Sequence, residues 1–326
     1  MNPGYDKALY LLPFDHRHSY VAGLFGFKPP LSAPQREKVI DSKQLIYEGF
    51  RQALAEGVPT EAAAILVDEE FGARILSDAH RRGFTTAVSV EQSGIGEYKF
   101  EYGDNFARHI EAFDPSFAKV LVRYNPEGDK ALNLRQASQL KRLSDYCQRS
   151  HSRFMFELLV PATTEQLART EGDKAAFDRQ MRPALMLRAI QALQAAGVEP
   201  DIWKIEGLDS RDDCERIATM ARRAGRQGVG CIVLGRGADE ARVRSWLVTA
   251  ASVEGFIGFA VGRTTFWDAV AGYRSRTLTR NEAASQIARH LRDWVDIFEQ
   301  GRDANARRSV PTTGVTHLAE NVNARR

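Results

Sequence analysis

Eight short apolar runs, separated by longer amphipathic stretches, constrain the fold of this 326-residue chain more than any other feature. They occupy residues 8–14, 63–67, 85–90, 117–122, 154–159, 201–205, 229–234 and 256–261. Their nearly continuous Val, Ile, Leu and Phe content suits strands covered on both faces, as the strands of parallel sheets are. Helical patterns lie between them, over 35–56, 134–150, 173–196, 210–225 and 238–250. The first carries Val39, Ile40, Leu45, Ile46, Phe50 and Leu54 at helix-like spacing. Glycine follows several of these helices, as at Gly57 and Gly197, where C-terminal caps commonly place it. Eight β-then-α units predict an α/β fold of one domain, a (β/α)8 TIM barrel over residues 1–300. An open doubly wound sheet usually has fewer strands.

Two segments stand outside the repeat. Residues 18–34 are rich in Gly, Pro and Phe and read as a loop over the barrel mouth. Residues 301–326 contain few apolar side chains and read as a flexible or swapped C-terminal tail.

Composition narrows the function classes. A net charge of +3 with scattered basic residues argues against nucleic acid as a partner and suits a site for one or two anionic groups. Cys147, Cys214 and Cys231 have neither metal-ligand nor CxxC spacing, and an odd count gives no disulfide framework. The N-terminus lacks the pattern of a secretory signal, and no apolar run approaches a membrane span. A cytoplasmic enzyme acting on a small molecule is the expectation. Association through exposed outer helices is ordinary for a barrel, so a homo-oligomer is compatible with the pattern.

The charges inside the apolar runs carry the chemistry. Lys204 lies in Asp201-Ile-Trp-Lys204-Ile-Glu206, Lys119 near the start of the fourth run, and Glu157 in Phe-Glu157-Leu-Leu. Asp15 follows the first run, in Pro-Phe-Asp15-His16-Arg17. A lysine in a strand most often runs its stem along apolar surface and keeps its head in water. Four runs that each carry or end on such a charge are harder to explain that way, because buried charges are rare unless paired or used. Period-two alternation sends Lys204 and Glu206 to one face, and Lys119, Leu121 and Arg123 to one face. In a barrel, the C-terminal ends of the strands are where catalytic residues gather. Lys204 is then a candidate amine nucleophile that forms a Schiff base.

The seventh and eighth runs end in Gly235-Arg236-Gly237 and Gly262-Arg263-Thr-Thr. Loops after strands 7 and 8 are the recurrent phosphate site of such barrels, so Gly235, Arg236, Gly262 and Arg263 are candidate phosphate ligands. Arg17 and Arg123 are candidates for a substrate carboxylate. His16 and His18 flank Arg17, but no further ligand at recognisable spacing completes a metal site, so no metal is expected. The dinucleotide and P-loop fingerprints are missing, so no cofactor is expected.

In order, these motifs resemble the class I aldolases of ketose phosphates, the tagatose-bisphosphate and sulfofructose-phosphate group. The resemblance rests on Leu-Pro-Phe-Asp15, Lys119-Val-Leu-Val-Arg-Tyr124-Asn-Pro126, Phe-Glu157-Leu-Leu and Asp201-Ile-Trp-Lys204-Ile-Glu206. It is closer to the aldolase-like domain fused to 5-dehydro-2-deoxygluconokinase in inositol catabolism. Phe14-Asp-His-Arg17 and Gly262-Arg-Thr-Thr-Phe-Trp267 carry that likeness, and it covers roughly residues 8–300.

The resemblance implies a lyase that cleaves 2-deoxy-5-keto-D-gluconate 6-phosphate to malonate semialdehyde and dihydroxyacetone phosphate through a Lys204 iminium. Lys119 would help keep Lys204 deprotonated by like-charge repulsion. Glu157 is the first choice for acid–base work, and Asp15 is placed to orient Lys119 or share the proton. Three readings remain beside it: another ketose-phosphate aldolase, a barrel that binds a sugar phosphate without cleaving it, and a phosphate-barrel isomerase or epimerase.

Overall fold

The computed structural model describes residues 4–309, with side chains to residue 304. Its eight strands are β1 (Leu9–Pro13), β2 (Ala63–Val67), β3 (Thr85–Ser89), β4 (Phe117–Arg123), β5 (Arg153–Leu159), β6 (Ile202–Glu206), β7 (Gly230–Leu234) and β8 (Phe256–Ala260). They pair in chain order, all parallel, and β8 closes onto β1. This is the expected α/β TIM barrel in a single domain.

Strand alternation separates two apolar cores. Leu9, Leu11, Leu66, Phe117, Met155, Ile202 and Ile232 fill the lower barrel interior. Tyr10, Leu12, Phe154, Phe156, Trp203 and Ile205 face outward against the helices. The odd and even positions of β6 therefore do different work. A one-residue slip would turn Trp203 into the barrel and press Lys204 against the helices. Each large apolar side chain so displaced costs roughly 1.5–3 kcal/mol, before the lysine's own desolvation. The same parity carries Lys119, Glu157 and Lys204 into the interior above the apolar layer.

The helix Ala33–Ala55 starts where the chain says it should. Ser32 accepts from the Gln35 amide while Gln35 returns the bond, a capping box behind a proline in the first turn. Residues 18–34 are more ordered than a loop. A helical turn covers His18–Tyr20 and continues as a π-helical turn through Val21–Phe25, and Tyr20, Val21 and Leu24 are buried. The expected helix over 173–196 is broken into Lys174–Gln180 and Arg182–Ala195. Pro183 accounts for the break, since it cannot donate an amide to the preceding turn.

After β3 the chain runs out over the mouth and back. Gln92 donates to the Lys99 carbonyl and Glu101 to that of Val90, with an antiparallel bridge between Glu91 and Phe100. At the opposite end of the barrel, Asp201 accepts from the amides of Gly4 and Phe154. The aspartate of the Asp-x-x-Lys pattern is thus a structural tie, three residues before the lysine along the chain. The last helix, Arg280–Ser309, packs on Ala33–Ala55 and extends nine residues into the stretch read as a tail. The remainder of that stretch, from residue 310, lies outside the described residues. No helix among the described residues is long and apolar enough to cross a membrane.

Candidate active site

A cavity of about 450 Å³ opens at the C-terminal end of the barrel, walled by Asp15, His16, Arg17, the segment Glu91–Tyr98, Lys119, Arg123, Glu157 and Lys204. Register brings the central residues together. Glu157 on β5 stands opposite Lys204 on β6, and Lys119 on β4 lies opposite Ser89 at the end of β3. Lys204 Nζ is 2.7 Å from Glu157 Oε2, and the same oxygen is 3.0 Å from Lys119 Nζ. Lys119 also contacts Asp15 Oδ2 at 2.7 Å and Glu91 Oε1 at 2.8 Å. Two lysines and three carboxyls, all buried, form one connected cluster.

The electrostatics follow from that contact order. Burial would lower the Lys119 proton affinity, yet Asp15, Glu157 and Glu91 together raise it well above the ordinary lysine value. Burial pushes Asp15 up, and Lys119, with His16 and Lys204 adding to it, overcomes this and holds its carboxyl well below the carboxylate range. Glu157 is likewise pushed up by burial and pulled below its ordinary value by Lys119 and Lys204. Glu91 goes the other way. Burial raises it, the neighbouring Asp15 adds to the rise, and Lys119 and Arg17 oppose without prevailing. Burial takes the His16 imidazole down to about 4, and its Nδ1 has no hydrogen-bond partner among the described residues.

This contact order changes the expected interplay of the lysines. Direct repulsion between Lys119 and Lys204 was the expected device for freeing the Lys204 amine. Instead, one oxygen of Glu157 touches both, and three carboxyls compensate the Lys119 charge. Glu157 is therefore placed to receive a Lys204 proton directly.

The other candidates fall into two groups. Arg17 is committed to the cavity wall, with Nη1 2.7 Å from Glu101 and Nη2 bonded to the Glu91 carbonyl. Arg123 is exposed at the rim, and its hydrogen bond to the Ile95 carbonyl is long, at 3.4 Å. Arg236 and Arg263, each beside its glycine Gly235 or Gly262, meet after β7 and β8, where Arg263 donates to the Arg236 carbonyl at 2.9 Å. They do not wall the cavity itself. Arg236 pairs with Asp178 at 2.7 Å and with Glu206 at 3.0 Å. Glu206, on the same strand face as Lys204, also pairs with buried Arg182 and accepts the Val160 amide. Gly262 has a steric reason to be glycine. A Cβ there would lie 2.4 Å from the Pro13 carbonyl oxygen.

Two buried charges stand outside the sequence expectations. Glu91 stands one residue beyond the third apolar run, where an acid resembles an ordinary loop residue. Lys43 is wholly buried on the helix Ala33–Ala55, paired with Asp68 and donating to the His16 carbonyl. Its position four residues after Val39 and three before Ile46, within the apolar stripe, was the available signal.

Fold and site together define a parallel (β/α)8 barrel with a buried lysine–carboxyl cluster at its C-terminal mouth. Residues 3–302 match the family described as an uncharacterized protein conserved in bacteria (DUF2090), and the chain belongs to that family. No curated protein matches its sequence. Among solved structures it is similar to fructose-bisphosphate aldolase from Plasmodium falciparum, at 12% identity and a TM-score of 0.58, over 92% of each chain. It is also similar to Cgl0159 from Corynebacterium glutamicum, at 14% identity and a TM-score of 0.54, covering 90% of this chain and 88% of that one. Fructose-bisphosphate aldolase from Slackia heliotrinireducens aligns at 12% identity with a TM-score of 0.51, over 86% of this chain and 85% of that one. At such identities the likeness is one of fold.

Proposed function

We propose that this protein is a class I aldolase, a carbon–carbon lyase in which Lys204 forms an iminium with the ketone of a phosphorylated keto sugar acid. The observation that carries this reading is the contact of Lys204 with Glu157 inside the cavity, an amine beside a carboxylate that can take its proton. Attack on a ketone releases water and leaves a C=N bond, which accepts the electron pair of the neighbouring C–C bond. Glu157 then handles the proton of the carbinolamine hydroxyl as it leaves.

The favoured substrate is 2-deoxy-5-keto-D-gluconate 6-phosphate, on the resemblance to the inositol-catabolism domain. With the iminium at C5, the C3–C4 bond breaks to give malonate semialdehyde and dihydroxyacetone phosphate. The helix N-terminus at Gly262–Arg263 would take the phosphate, since the Gly235 amide is already bonded to the Ala260 carbonyl. Arg236 would serve it by exchanging Asp178 for the phosphate. Arg123 suits the carboxylate better than Arg17, because it has no carboxylate partner among the described residues while Arg17 is held by Glu101.

The test is borohydride reduction in the presence of dihydroxyacetone phosphate, followed by mass mapping. An adduct on Lys204 and loss of turnover in Lys204→Ala are expected. Protein that binds the ligand without an adduct would sink the aldolase reading, and a panel of ketose phosphates decides among substrates.

A further inference from the structure

Glu91 is a third carboxyl in the cavity that the chemistry above leaves unused. Its Oε1 accepts from Lys119, while its Oε2 is buried with no hydrogen-bond partner among the described residues. The Tyr98 hydroxyl and His16 Nδ1 share that condition, and all three residues line the same cavity. A buried polar atom left unpaired costs roughly 1–3 kcal/mol, so Glu91 Oε2 beside this cavity marks where a hydroxyl of a polar ligand belongs.

The direction of the cavity says which hydroxyl. From Lys204 it extends past Lys119 toward Glu91, Tyr98 and Arg123, away from the glycine–arginine loops after β7 and β8. A substrate whose phosphate lies at those loops sends the other side of its iminium carbon along this wall. The cleaved bond and its hydroxyl are on that side. Glu157 is occupied by both lysines, and Asp15 is bound to Lys119 with its proton affinity driven down. A general base works best with a proton affinity nearer neutrality, and of the three carboxyls only Glu91 is shifted upward.

We propose that Glu91 is the catalytic residue that takes the proton of the cleaved hydroxyl through Oε2 and returns it in condensation, leaving Glu157 to iminium formation. This rests on the aldolase reading of the same site. In cleavage the C3 hydroxyl O–H bond breaks and its proton joins the Glu91 carboxylate. The oxygen's electrons form the aldehyde C=O, the C3–C4 pair becomes the C4=C5 bond of the enamine, and the C=N pair returns to the Lys204 nitrogen.

The experiment compares the full chain with Glu91→Gln, Glu91→Asp and Glu157→Gln in two assays. One is borohydride trapping of dihydroxyacetone phosphate on Lys204. The other is condensation of dihydroxyacetone phosphate with malonate semialdehyde, glyceraldehyde 3-phosphate and lactaldehyde phosphate. Glu91→Gln should trap as the parent does while condensation falls on the order of 10²–10⁴-fold, whereas Glu157→Gln should lose trapping as well. Glu91→Asp should keep part of the activity with a displaced pH profile. The groups that face Glu91 and shape that profile are Lys119 from β4, Asp15 and Arg17 from after β1, and Tyr98 from its own hairpin. Near-parental condensation by Glu91→Gln overturns the assignment, as does loss of trapping in step with condensation while thermal melting is unchanged. A parent chain that is never trapped overturns the aldolase reading itself and Glu91's role with it. A parent that is trapped but condenses with none of the three aldehydes overturns the cleavage role alone.

Discussion

Replacing Lys119 by Met removes one cation from three carboxyls at once while keeping most of the side-chain volume. The substitution breaks ion pairs to Asp15 at 2.7 Å, Glu91 at 2.8 Å and Glu157 at 3.0 Å, all in the barrel interior. Breaking one buried pair by deleting a partner typically costs about 3–5 kcal/mol. Three such losses do not add, because carboxyls left without the cation can take up protons instead. We therefore expect about 3–5 kcal/mol at neutral pH, a fall in melting temperature of about 5–10 °C for a chain of this size.

The pH dependence of that loss is the sharper signature. Asp15 and Glu157 are held below their ordinary values, so the stability they contribute is present above the unfolded carboxylate range and is lost as pH falls through their folded values. Lys119 is raised, so its contribution is complete below the unfolded lysine value and is lost only as pH rises through its folded value. Between these limits the parent holds the full amount and the variant does not. Chemical denaturation of both proteins at about pH 8 and about pH 4 reads the difference. The gap should be wide at the higher pH and narrow at the lower, where the orphaned carboxyls are protonated. A gap below about 1 kcal/mol at both, or one that widens toward acid, would refute the reading of Lys119 as the shared counter-ion.

Two further outcomes concern neighbouring groups. His16 should stay neutral through the physiological range and titrate near 4 by nuclear magnetic resonance of the imidazole. Because its folded value is depressed from 6.5, the folded state should lose stability as pH falls from 6.5 toward 4, and a His16 resonance that titrates at 6.5 would remove that expectation. Arg123→Ala should raise the KM for a substrate with a free carboxylate roughly ten-fold, about 1.4 kcal/mol, while trapping of dihydroxyacetone phosphate is unchanged. An equal effect on both would place Arg123 outside the carboxylate subsite.

Much of this architecture was legible because burial on both faces leaves a mark along a strand. The eight apolar runs fall on the eight strands within a residue or two, and the charges interrupting them stand out against that background. Lys204, Glu157 and Lys119 could thus be picked out singly, and alternation put each inside the barrel. Glu91 and Lys43 had no such contrast. Glu91 lies just past its strand, and Lys43 shows only by its place on the apolar stripe of its helix until Asp68 packs against it. The helical turn over 18–25 was hidden by the Gly, Pro and Phe content of its neighbours.

The sequence by itself determined the period, the number of units and which side chains were out of place in an apolar strand. These are local properties of hydrophobic pattern and parity. Which charge meets which was decided only by barrel closure, because it depends on register between strands dozens of residues apart. Closure set one Glu157 oxygen between two lysines, gave Lys119 three acidic partners, and turned Arg17 into wall while leaving Arg123 at the rim. Interaction energies in a desolvated interior vary steeply with distance. Residue identity could therefore nominate the site, and only the three-dimensional contacts could divide its labour.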